Sequence, residues 1–131
     1  MDESAIVSNQ KILEIIEKPL AERDANLYIE NRLPNYQCFI ENNARMTIGT
    51  DSLTSNWGLS ILEEMKTIAK YQSYVPLEML LRWATINGAE ALGFDDKLGS
   101  MEKGKTCGLN LLVKLDKDGR LQDSTSVKKL I

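Results

Sequence analysis

Arg45-Met46-Thr47-Ile48-Gly49-Thr50-Asp51-Ser52 is the stretch on which the fold of this chain turns. Met46 and Ile48 alternate with Thr47 and Gly49, the period-two pattern of a strand over 44–49. Continued, the alternation carries Asp51 to the less apolar face, at the strand's end. A carboxylate there can serve catalysis, or it can cap the structure that follows. Against the first reading stands a second fact: the 131 residues include no histidine. Hydrolytic zinc and iron sites ordinarily set imidazole beside carboxylate, so this chain alone lacks the usual ligands.

Two helical patterns follow. Ser60 and Glu63 form the Ser-x-x-Glu spacing of a capping box, in which the serine hydroxyl accepts from a free backbone N–H. Ile61, Leu62, Met65, Ile68 and Ala69 then make an apolar stripe over 60–71, with Glu63, Glu64, Lys66 and Lys70 on the other side. A second helix is predicted over 76–92, from Pro76 to the stop at Gly93. Leu77, Leu80, Leu81, Ala84, Gly88 and Ala91 recur at its helical spacing, and the small residues at 84, 88 and 91 would let it approach a neighbour closely. Upstream, 4–18 reads as an amphipathic helix ended by Pro19. A short helix is predicted over 35–42 after Pro34, with Cys38 or Phe39 and Ile40 facing inward. Downstream, alternation predicts a strand over 109–115, a turn at Asp116-Lys117-Asp118-Gly119 and a return strand over 120–127.

Composition narrows the function classes. An apolar share of 43% and a charged share of 27% are ordinary for a folded soluble domain. A net charge of −3 argues against nucleic acid as the main partner, since binding phosphates requires a basic face. No long apolar run or basic leader is visible, so neither a membrane span nor a signal peptide is predicted. Cys38 and Cys107 follow no metal or redox spacing and read as free thiols of a reducing, cytoplasmic setting.

Three motifs have competing readings. Gly99-Ser100-Met101-Glu102-Lys103-Gly104-Lys105-Thr106 has the letters of a phosphate-binding loop. That chemistry needs a strand before the loop and a helix after it, and the pattern here is reversed, so no nucleotide is expected. Asp116-x-Asp118-Gly119 opens like a calcium loop but lacks the later ligands, and a hairpin turn is the better reading. Trp83 reads as a packing residue, while Trp57, in the loop after Asp51, is the better placed of the two tryptophans to bind a ligand.

Four segments in order carry a resemblance: Ile48-Gly49-Thr50-Asp51-Ser52, Ser60-Ile61-Leu62-Glu63-Glu64, Trp83-Ala84-Thr85-Ile86-Asn87-Gly88-Ala89-Glu90-Ala91-Leu92-Gly93, and Leu98-Gly99-Ser100-Met101-Glu102-Lys103-Gly104-Lys105. From Asn43 to Lys105 the chain resembles the C-terminal part of the amidohydrolase superfamily, in its branch of metal-dependent deaminases and chlorohydrolases. Asn26-Leu27-Tyr28-Ile29 through Leu33-Pro34 also looks like the segment after the seventh strand of such a barrel. The resemblance implies a (β/α)8 barrel with a small β-domain, whose catalytic groups lie at the C-terminal ends of strands. Asp51 matches the family aspartate after the eighth strand, which binds the zinc or iron and moves a proton to and from the hydrolytic water. There are departures. The family's histidine ligands are absent, Glu22-Arg23-Asp24-Ala25 replaces a usual Cys-Pro-x-Ser, and Cys107-Gly108 follows where Ala-Asp is common. The first 20 or so residues match nothing nameable.

The sequence therefore predicts an α/β chain: a partial (β/α)8-barrel fragment, holding the last strand and C-terminal helices, plus a small β hairpin, rearranged as a compact helix-rich α+β unit. Residues 1–24 form an N-terminal helix and loop, 25–93 the terminal part of the barrel, and 94–131 a small β segment and tail. The expected function is that of the C-terminal part of a metal-dependent amidohydrolase, a truncated product or excised piece covering about the last third. It acts on non-peptide C–N bonds and is inactive alone, with Asp51 as an incomplete catalytic and metal position and no cofactor held by this chain. The alternative is a stand-alone α/β interaction module derived from such an enzyme. Expected partners are a second copy or the missing barrel half, and not nucleic acid, membrane or nucleotide.

Overall fold

The computed structural model describes residues 35–51 and 58–131. The helix expected over 4–18, the segment resembling the end of a seventh barrel strand and Trp57 lie outside the described residues. Within them the order is α1 (Tyr36–Glu41), α2 (Ile61–Tyr71), α3 (Leu77–Ala84), α4 (Ile86–Leu92), β1 (Asn110–Val113) and β2 (Ser126–Lys129). The two strands pair antiparallel, with Asn110 opposite Lys129 and Val113 opposite Ser126.

α1 starts at Asn35, whose side chain accepts from the Cys38 N–H. It turns Tyr36 fully inward, with Phe39 and Ile40 packed at the margin of the core. Cys38 is exposed, so the inward face belongs to the aromatic and the isoleucine rather than to the thiol. α2 begins as its capping spacing predicts: the Ser60 hydroxyl accepts from the Glu63 N–H at 3.3 Å. Met65 and Ile68 of its apolar stripe are buried, and so is Glu64 in the first turn, where a carboxylate is favoured by the helix dipole.

The helix expected over 76–92 is two helices. Thr85, at φ −130° and ψ −92°, breaks it. Thr85 is β-branched and turns its hydroxyl back to donate to the Leu81 carbonyl at 2.7 Å, a bond that competes with the helical ladder. The Trp83 carbonyl is used outside the helix as well, by the Ile48 N–H. The predicted stop is in place: Gly93 takes φ 71°, a left-handed cap open to a residue without Cβ.

Close approach at α4 comes from a different small residue than the spacing suggested. A Cβ on Gly88 would meet nothing within 4 Å, whereas one on Gly99 would lie 2.8 Å from Ala89 Cβ and 2.9 Å from Ile86 Cα. The loop after α4 is thus pressed onto it at Gly99, which also sits at φ 90°.

The core collects Tyr36, Met46, Ile48, Met65, Ile68, Val75, Leu80 and Trp83, where α1, the extended segment 44–50, α2 and α3 meet. Tyr36 and Trp83 stack with ring centroids 6.1 Å apart, so Trp83 is a packing residue as its sequence setting predicts. Leu121 reaches the edge of this core from the β1–β2 connection.

The strand expected over 44–49 is corrected in part. Its alternation is real, since Met46 and Ile48 are buried while Thr47 and Gly49 are less so. Among the described residues, however, it joins no sheet. The two-stranded pairing seen among the described residues lies downstream, and the return strand is shorter and later than the predicted 120–127. The residues before it fold as a turn, with the Thr125 hydroxyl accepting from the Gln122 N–H and donating to the Lys114 carbonyl.

Candidate functional site

The extended segment delivers Asp51, and three polar contacts hold that segment to the broken helix. Arg45 Nη2 meets Glu90 Oε2 at 2.6 Å. The Asn87 side-chain amide donates to the Met46 carbonyl at 2.8 Å. The Ile48 N–H donates to the Trp83 carbonyl at 3.2 Å. The pairs 45–90, 46–87 and 48–83 descend in order, so the segment runs antiparallel to α3 and α4.

Three residues past Ile48, Asp51 takes φ 51°, a left-handed conformation uncommon for a side-chain-bearing residue and tolerated best by Asn and Asp. It is exposed. The sequence placed Asp51 at the end of an extended run, and the backbone agrees. The left-handed turn also ends the alternation at that residue, so a strand-face argument does not fix its direction.

A metal site needs more than one carboxylate. Among the described residues no group of three or more His, Cys, Asp or Glu side chains is placed to hold an ion. The chain has no histidine to add elsewhere. Asp51 alone is not the set of three or more protein ligands that a zinc site uses, so the described residues do not fit a catalytic metal by themselves.

The remaining motifs take structural places. The segment 99–106 lies between α4 and β1, without a preceding strand or a following helix. Within it, Lys105 Nζ donates to the Ser100 hydroxyl at 2.6 Å and lies 3.5 Å from Glu102, and the Thr106 N–H donates to the Lys97 carbonyl. Asp116 is spent on its own turn, its carboxylate accepting from the N–H groups of Asp118 and Arg120. The residue to which sequence reasoning assigns no role is Asn87. The available signal was a carboxamide in a helix whose other residues, Glu90 apart, are small or apolar, where its side chain competes with backbone bonding and needs a reason to be there.

Comparison with known proteins bears on the family of the chain. The amidohydrolase family model matches residues 6–128, taking in most of the N-terminal segment for which sequence motifs offer no counterpart. A 5-methylthioadenosine/S-adenosylhomocysteine deaminase of Desulforudis audaxviator is 40% identical over 68 residues, 47% of this chain and 16% of that protein. One of the same description from Acetivibrio thermocellus is 31% identical over 100 residues, 71% of this chain and 23% of that protein. A 5'-deoxyadenosine deaminase of Methanobrevibacter smithii is 30% identical over 114 residues, 82% of this chain and 26% of that protein. The chain thus spans about a quarter or less of the length of these relatives. With a match that runs through nearly all of its residues, the chain belongs to the amidohydrolase family.

Proposed function

We propose that this chain is the C-terminal part of a metal-dependent amidohydrolase of the deaminase kind, whose whole form replaces a ring amino group by hydrolysis. The adenine ring of a thio- or deoxyadenosine derivative is the substrate class. One observation carries this: the relatives aligned over most of the chain are deaminases of such nucleosides by description. Asp51 is the carboxylate this chain contributes, at the end of its extended segment. The other ligands come from residues outside this sequence, because the chain contains no histidine. Alone, therefore, it is inactive. The setting is a reducing cytoplasm, supported by two free cysteines. Nucleic acid, nucleotide and membrane are not partners: the acidic balance supports the first reading, the helix before and strand after 99–106 the second, and the lack of a long apolar run the third.

The test is complementation. The chain alone, and the chain mixed with the histidine-bearing N-terminal portion of a related deaminase, are given 5'-deoxyadenosine with zinc or ferrous iron, and ammonia release is followed. No turnover alone, turnover in the mixture, and its loss on Asp51→Asn support the proposal. Turnover by the chain alone, or unchanged turnover with Asp51→Asn, would overturn it. Failure of every mixture, together with stable dimerisation of the chain, favours the stand-alone interaction module instead.

A further inference from the structure

We propose that Asn87 is a positioning residue for Asp51: its side-chain amide clamps the Met46 carbonyl and so sets the register of the segment that ends in that carboxylate. The inference rests on the reading of Asp51 as the functional group. The starting point is backbone satisfaction. A strand ordinarily has its carbonyls and N–H groups taken by neighbouring strands, and unpaired buried groups are costly. Among the described residues the segment 44–50 has no strand beside it. Backbone groups of the segment are instead taken by helices: the Ala44 N–H by the Phe39 carbonyl of α1, the Met46 carbonyl by Asn87 Nδ2 and the Ile48 N–H by the Trp83 carbonyl. The break at Thr85 makes the last bond available. The helix side thus stands in for a neighbouring strand.

The three contacts with α3 and α4 do not count equally. Arg45 is 72% exposed in its pair with Glu90, and such surface pairs add little. The Trp83–Ile48 bond is backbone to backbone and would accept many residues at either position. The Asn87–Met46 bond is part-buried and depends on side-chain identity. Met46 and Ile48 are both buried and lie two residues apart, so a slip of one residue would expose both. A side chain that grips a specific carbonyl opposes that slip and, with it, any displacement of Asp51.

The experiment uses the full chain, compared by NMR with Asn87→Asp and Asn87→Ala. The aspartate keeps the shape and cannot donate, while the alanine removes the group altogether. Ser60→Ala serves as a control, since it removes a helix cap on a different element. The expected result is that both Asn87 variants speed amide exchange at Ile48 by about tenfold, the scale of one lost hydrogen bond. Both also shift the backbone and carboxyl-carbon resonances of Asp51, while Met65 and Ile68 keep their exchange rates relative to Ser60→Ala. If Ile48 and Asp51 are unmoved in either folded variant, or if Ser60→Ala moves them as much, the proposal is overturned. These readouts report where Asp51 is, not what it does. They remain decisive even if the complementation assay shows that Asp51 has no chemical role, and unmoved resonances would leave the outcome of that assay intact.

Discussion

Asp51 carries its carboxylate on a backbone at φ 51°, where an L side chain is strained and glycine is not. Conformation and chemistry can therefore be separated at one position. Asp51→Gly is expected to be more stable than Asp51→Val by about 1–2 kcal/mol in thermal denaturation, the usual penalty of that region for a bulky residue. A stability loss with glycine equal to that with valine would show that the aspartate side chain holds the local structure. Either variant removes the carboxylate, so the complemented turnover should vanish in both. Zinc titration by calorimetry belongs at the same scale. One carboxylate without histidine should give no submicromolar stoichiometric binding to the chain alone, and such binding with Asp51 as a ligand would refute that.

Elements differ in how local their causes are. α2 rests on its cap and stripe, and Ser60→Ala should cost about 1 kcal/mol, read from the denaturation midpoint. The loop after α4 is pressed onto that helix at Gly99. At Gly99 a methyl would collide with Ala89 Cβ and Ile86 Cα, both under 3.0 Å away, and the backbone there is left-handed. Gly99→Ala should destabilise by about 1–3 kcal/mol, the range of overpacking, while Gly88→Ala, with nothing near its Cβ, should be neutral or mildly stabilising. Equal effects at the two sites would mean the loop is not seated on α4. Sequence spacing pointed to 84, 88 and 91 as the positions of close approach. It did not reveal Gly99, because the contact joins a loop to a helix and no helical period records it.

For the whole molecule, the core is small and concentrated where α1, the extended segment, α2 and α3 meet. Ile68 is 0% exposed at its centre, so Ile68→Ala should cost about 2–5 kcal/mol. α4 contributes no buried residue, and Leu92 beside Phe94 remains exposed. Such surface, with a strand-like segment lacking a strand neighbour among the described residues, is expected to draw in another chain. Light scattering should show self-association at high concentration, or a complex with the histidine-bearing portion. A monomer throughout, with fast-exchanging amides at Met46 and Ile48, would contradict this.

Local order alone determined much of this protein. The Ser60 cap, the stripe of α2, the stop at Gly93, the Asp116 turn and the alternation of Met46 and Ile48 with Thr47 and Gly49 are each written in residues within a few positions of one another, so the sequence exposes them. The ordered segments around Asp51 and Trp83-to-Gly93 likewise sufficed to reveal the family. The tertiary structure alone decided the seating of Gly99 and the grip of Asn87 on Met46. Each is settled by a partner outside its own local pattern, 41 residues away for Asn87 and Met46. A helix period relates residues three and four apart, so it is silent about a loop glycine seated on the helix or a side chain that bonds across the fold.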